Sequence, residues 1–184
     1  MAGRPHTFLF SDLVGFTALT AAHGDERAAD VAAELFARVR PLLSEHGAEE
    51  VKTLGDGLML RAGDAASAVR LGLRVVAELE AVPGFPPVRV GMHTGPAVAR
   101  GGDWFGTTVN VAARLCGAAG GGEVLVSETT SVAAGPLADV ELGGRRLHWL
   151  KNVTEPVAAH AVVARACALH RFVALSGYRP TVAA

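Results

Sequence analysis

The tripeptide Gly55-Asp56-Gly57, set between the strand-like segments 49–54 and 58–61, restricts the fold more than any other feature of the chain. Asp-Gly is a preferred tight-turn dipeptide because both residues tolerate positive φ, so the flanking segments should pair as an antiparallel hairpin. A hairpin placed among helical crossovers excludes an all-parallel doubly wound sheet. Residues 7–13 form a short apolar run with Asp12 near its end, which reads as a buried strand. Residues 25–46 carry Ala28, Val31, Ala32, Leu35, Val39 and Leu42 at helical spacing, with Gly47 as a stop signal. Pro41 removes an internal hydrogen bond from that helix, so a kink or break is expected there. Residues 64–81 form a second amphipathic helix, 83–87 a loop and 88–94 the next strand.

After Gly101-Gly102, residues 107–116 place Val109, Ala112, Ala113 and Cys116 on one helical stripe and Asn110 with Arg114 on another face. Asp103 falls in the Gly-rich loop before this helix. Gly120-Gly121-Gly122 then breaks the chain ahead of a strand at 123–127, a short helix near 129–134, and strands near Val140 and at 157–163. The pattern predicts an α/β sandwich: a ferredoxin-like βαββαβ core, extra C-terminal strands and a mostly antiparallel sheet. At 184 residues one domain is expected, large enough to bury a core without disulfides.

Apolar residues make up 50% of the chain and the mean hydropathy is +0.31, which raises the question of a membrane span. The longest stretch without Asp, Glu, Lys or Arg is 13–24, well short of the roughly 20 residues a span requires. Residues 1–6 contain no apolar signal-peptide core, so a cytoplasmic protein is expected. Cys116 and Cys167 are too far apart for a paired metal motif and read as small buried hydrophobes. A net charge of −1 provides no global basic field for nucleic acid, so any bound phosphate must be held locally.

Asp12 at a strand end and Asp56 in the hairpin turn suit a hard divalent cation, which takes one or two carboxylates alongside phosphate oxygens. A helix N-cap for Asp12 and a plain turn role for Asp56 are equally consistent with position alone. In Asp12-Leu-Val-Gly-Phe-Thr, the backbone N–H groups of Phe16 and Thr17 at a helix start could hold a phosphate. Asn110 and Arg114, four apart on a helix, project side by side and could clamp charge developing on a phosphoryl group, or simply form a solvated face. Lys52 and Asp103 could read the donor and acceptor edge of a purine, or be ordinary surface residues. His93, on an apolar strand, reads as a satisfied core histidine.

Taken jointly, Phe10-Ser-Asp-Leu-Val-Gly-Phe-Thr, Val51-Lys-Thr-Leu-Gly-Asp-Gly, Gly91-Met-His-Thr-Gly and Asp103-Trp-Phe-Gly-Thr-Thr-Val-Asn-Val-Ala-Ala-Arg-Leu closely resemble the class III nucleotidyl cyclase catalytic domain. The resemblance spans about residues 6–165 and is strongest to bacterial, actinobacterial-type adenylyl cyclases. It implies a catalytic domain over residues 1–165 and leaves 166–184 as a tail without an assigned role. It also implies metal sites at Asp12, Asp56 and the Leu13 carbonyl, taking two Mg²⁺ or Mn²⁺ ions. Lys52 and Asp103 would read adenine, with Leu54 and Trp104 against the base. Asn110 would orient the ribose, Arg114 would stabilise the reacting phosphorus, and Lys151 lies near the family's terminal-phosphate lysine. The implied reaction converts ATP to 3′,5′-cyclic AMP and pyrophosphate in a homodimer with shared sites. A guanylyl cyclase and a catalytically silent regulatory nucleotide-binding module are the alternatives.

Overall fold

A computed structural model describes residues 4–165. The tail at 166–184, and with it Cys167, lies outside the described residues. The chain runs β1 (His6–Leu13), α1 (Phe16–His23), α2 (Asp25–Glu45), β2 (Ala48–Leu54), β3 (Gly57–Ala62), α3 (Ala65–Glu80) and β4 (Val88–Gly95). It continues with β5 (Val98–Arg100), β6 (Asp103–Phe105), α4 (Thr107–Ala118), β7 (Val124–Ser127), α5 (Glu128–Ala134), β8 (Val140–Leu142), β9 (Arg146–His148) and β10 (Val157–Ala164). The main sheet has the order β2-β3-β1-β4-β7-β10-β8, with β9 also paired to β10. Only β4 and β7 pair in parallel; the other described pairs are antiparallel. The order β2-β3-β1-β4 is that of the expected βαββαβ core, and the hairpin at Asp56 joins β2 to β3.

Alternation along β1 distributes its side chains to two cores. Leu9 and Leu13 pack with α2 and α3 through Leu35, Val39, Leu71, Val75 and Leu79. Phe8 and Phe10 face the other way, toward Val109, Ala112 and Cys116 of α4. The helix α4 lies against β4 because Gly91 has no side chain: a Cβ there would sit 1.9 Å from the Cys116 backbone nitrogen. Cys116 is buried, as expected, and burial pushes its thiol pKa up to about 12.

Two expectations are corrected. The helix α2 continues through Pro41 without a break. Ala37, whose carbonyl loses its partner to the proline, is exposed, so water can take the hydrogen bond. The helix start expected at Phe16 and Thr17 opens the short helix α1, divided from α2 by Gly24 at φ 84°. Asp103 begins a strand: Gly101 and Gly102, both at positive φ, turn β5 into β6. His93 is half-buried and, as expected of a satisfied histidine, hydrogen-bonded within the chain. Its Nδ1 lies 2.8 Å from Ser127 Oγ and 3.1 Å from Thr129 Oγ1, and burial lowers its pKa to about 4. Among the described residues no helix is long and apolar enough to cross a membrane.

Candidate functional site

The end of β1 and the β2–β3 turn bring two carboxylates together. Gly57 makes this approach possible, because a Cβ there would lie 2.5 Å from the Ser11 carbonyl oxygen and 3.5 Å from Asp12 Oδ1. Asp56 therefore sits against Asp12. Its pKa is raised, first by burial and then by the neighbouring Asp12 charge, while the backbone N–H groups of Asp56 and Leu13 pull in the opposite direction. Two adjacent carboxylates present hard oxygen donors side by side, which fits a divalent cation. Two acidic side chains cannot complete a coordination shell, and Mg²⁺ characteristically leaves the remainder to water and phosphate oxygens.

Sequence reasoning missed the cation already present. Arg89 on β4 is the cross-strand partner of Asp12. Its Nε donates to Asp12 Oδ2 at 3.0 Å, its Nη2 donates to the same oxygen, and its Nη1 donates to the Gly117 carbonyl at 3.2 Å. The available signal was a lone arginine in the otherwise uncharged 88–94 strand, but its partner is 77 residues away in sequence.

A pocket of about 170 Å³ opens beside Asp12, lined by Phe10, Leu54, Gly57, Ala113, Cys116 and Gly117 among others. Leu54 is 45% exposed at its rim. The helix α1 starts directly after Gly15, which is left-handed at φ 80°, and no side chain caps the first-turn N–H groups of Phe16 and Thr17. Phe16 and Gly55 line one hollow, so this helix start adjoins the Asp56 turn. A larger cavity of about 350 Å³ near α5 and β8 contains none of the candidate residues.

Lys52 on β2 shares the α4 side of the sheet with Met59, its cross-strand partner. Its ammonium donates to Asp103 Oδ2 at 2.5 Å, while Asp103 Oδ1 accepts from the Trp104 N–H at 2.7 Å. The hydrogen bond from Lys52 holds the Asp103 carboxyl below its ordinary pKa. The structure thus joins two residues 51 positions apart into one donor–acceptor pair. The Trp104 ring is engaged within the chain, with its centroid 4.7 Å from His6 and 5.6 Å from Phe8, and the Arg61 guanidinium lies 5.0 Å over its face. Asn110 and Arg114 lie on the exposed face of α4, and Lys151 lies in the exposed β9–β10 loop. Neither Arg114 nor Lys151 forms an ion pair among the described residues.

Residues 4–141 match the family described as the adenylate and guanylate cyclase catalytic domain. A pH-sensitive adenylate cyclase, MT1302, of Mycobacterium tuberculosis is 36% identical over 158 residues, covering 81% of this chain and 39% of that protein. An adenylate cyclase of Streptomyces griseus is 37% identical over 126 residues, covering 68% of this chain and 32% of that protein. The chain therefore spans only about a third of the length of these curated relatives. The crystal structure of the guanylyl cyclase Cya2 superposes with a TM-score of 0.77 at 26% identity, covering 88% of this chain and 94% of that one. With the family match extending over most of the chain and the same architecture in a solved cyclase, this chain belongs to the class III adenylate and guanylate cyclase catalytic domain family.

Proposed function

We propose that the chain is an adenylyl cyclase that converts ATP to 3′,5′-cyclic AMP and pyrophosphate, working as a homodimer with two shared sites. The Lys52–Asp103 pair carries the choice of base. Adenine presents an acceptor at N1 and a donor at its exocyclic amine, which a lysine and a carboxylate complement. Guanine presents the reverse polarity, a donor at N1 and an acceptor at O6, and would meet donor with donor and acceptor with acceptor. A mispaired buried polar edge costs about 1–3 kcal/mol per group, enough for strong discrimination. In the nucleotide-free chain the two groups satisfy each other, and both become available when a base enters.

Attack by the ribose 3′-hydroxyl on the α-phosphorus closes the cyclic product and expels pyrophosphate. Asp12 and Asp56, with the Leu13 carbonyl, would hold Mg²⁺ or Mn²⁺, two ions per site, lowering the pKa of the hydroxyl and neutralising the triphosphate. Asn110 holds the ribose so that O3′ faces phosphorus, and alignment of this kind contributes several kcal/mol to rate. Arg114 places a permanently charged guanidinium where the equatorial phosphoryl oxygens gain charge. Lys151 and the uncapped N–H groups of Phe16 and Thr17 supply further positive potential to the phosphates. Leu54 packs against the base, with Trp104 bordering it. The carboxylates of one subunit serve with the base-reading and Asn/Arg residues of the other, a reading supported by the outward-facing Asn110 and Arg114 and by the lack of an ion-pair partner for Arg114 among the described residues.

Replacing Lys52 with Glu and Asp103 with Ser reverses the polarity of the pair. The double variant is expected to lose ATP kcat/KM by about a hundredfold or more and to gain GTP turnover. Unchanged ATP preference, measured by cyclic nucleotide formation with both substrates, would refute the base-reading assignment. Absence of any cyclic AMP from the wild-type chain with Mn²⁺, at high protein concentration, would favour the catalytically silent module.

A further inference from the structure

We propose that Arg89 is a placeholder cation: in the nucleotide-free chain its guanidinium closes one oxygen of Asp12, and a divalent metal ion must displace it to use that oxygen. The inference rests on the reading of Asp12 and Asp56 as metal ligands. Both Nε and Nη2 donate to the same atom, Asp12 Oδ2, so that oxygen's hydrogen-bonding directions are already filled. The other oxygen, Oδ1, lies on the Gly57 side, toward the hairpin that carries Asp56.

Three features make Arg89 a competitor and not a spectator. It is tethered at a second point, the Gly117 carbonyl at the end of α4, so leaving Asp12 does not free it to drift into solvent. Its side chain is 26% exposed and that of Asp12 is 30% exposed, so the pair is partly shielded from the screening that weakens surface ion pairs. A guanidinium does not lose its proton in a protein, so no change of pH within the ordinary range releases it. Only another cation at Asp12, or another anion for Arg89, can shift the balance.

The arrangement also answers an electrostatic difficulty. Asp12 and Asp56 set two like-charged carboxylates side by side, an arrangement that calls for a positive charge next to them. Arg89 supplies that charge while the site awaits metal. The consequence is weak metal affinity in the absence of nucleotide, because binding must break a doubly hydrogen-bonded ion pair. Substrate phosphate, arriving with its own cation, brings the anion that Arg89 then lacks. Metal and nucleotide loading are thereby linked through one side chain.

The test is direct Mn²⁺ binding, followed by the loss of the free-ion EPR signal, on the full chain without nucleotide. Arg89→Gln retains a donor for Gly117 but removes the charge, and should bind Mn²⁺ at least about fivefold more tightly than wild type. Its thermal midpoint should start lower and rise further on addition of Mn²⁺. Arg89→Lys, which keeps the charge but cannot make both bonds to Oδ2, should fall between the two, and it carries the test with the same sign if the glutamine variant fails to fold. Equal or weaker Mn²⁺ affinity in the variants overturns the proposal and makes Arg89 an orienting group for Asp12. If the wild-type chain takes up no Mn²⁺ even with a non-hydrolysable ATP analogue, the metal reading of the carboxylates falls, and this inference with it.

Discussion

Asp56→Asn yields a chain that is more stable without metal and that forms no measurable cyclic AMP. The amide keeps the shape of the carboxylate and still accepts from the Leu13 N–H, while its NH₂ donates to Asp12 in place of charge repulsion. The gain is on the order of 1 kcal/mol after discounting for solvent screening, a rise of a few degrees in Tm. The pH dependence has a definite sign. The folded-state pKa of Asp56 is raised, so its favourable contribution is present below the unfolded carboxylate pKa and disappears as pH rises through the folded value. Metal-free wild type should therefore lose stability across that interval, and the asparagine variant should lose less. Activity moves the other way, falling by at least about a hundredfold, because the amide is a poor ligand for a hard cation. Paired melting curves in chelator at several pH values, with cyclic AMP assays in Mn²⁺, test both halves. A variant that is less stable throughout, or one that keeps its activity, contradicts the account of the carboxylate pair.

Gly91→Ala damages the molecule through a single methyl group. The new Cβ would meet the backbone nitrogen and Cα of Cys116 at 1.9 and 2.4 Å and the Leu115 carbonyl carbon at 2.5 Å. These are main-chain atoms, so no rotamer change relieves the overlap and α4 must move off the sheet. Overpacking of this severity costs about 3 kcal/mol or more, roughly 10 °C in Tm for a domain of this size. Because α4 carries Asn110 and Arg114, an outward shift of about 1 Å should also lower kcat by about a hundredfold. Combining Gly91→Ala with Cys116→Ala should restore neither property, since the clash does not involve the sulfur. Recovery in that double variant would show that side-chain packing, and not helix approach, is what Gly91 protects.

What the sequence disclosed follows from range and regularity. The strand with Asp12, the Asp56 hairpin, α2, α3 and α4 were all legible, because each has a sustained apolar period or a specific turn dipeptide. The helix α1 was legible only as a helix start at Phe16 and Thr17, and not in its extent, since it fully buries none of its eight residues and so has no stripe to read. The strands β5 and β6 are three residues each, too short for alternation to register, so Asp103 was placed in a loop. Pro41 misled because its cost depends on whether water reaches the Ala37 carbonyl, a matter of tertiary exposure. Within the candidate site, the types and spacing of Asp12, Asp56, Asn110 and Arg114 suggested chemistry but left it open, and only the resemblance assigned roles. The Arg89–Asp12 contact depends on β1–β4 register, so the lone arginine on its strand could not disclose its partner.

Complementation between two inactive variants tests the shared-site adenylyl cyclase reading most directly. Asp56→Asn removes a carboxylate from one side of each site and Arg114→Ala removes the guanidinium from the other. Each variant alone should make no cyclic AMP. Mixed in equal amounts, with mixed dimers verified by native mass spectrometry, half of the dimers would carry one intact site. Activity should then recover to about one quarter of wild type, as a two-fold symmetric assembly with two composite sites requires. No recovery in verified mixed dimers would contradict shared sites.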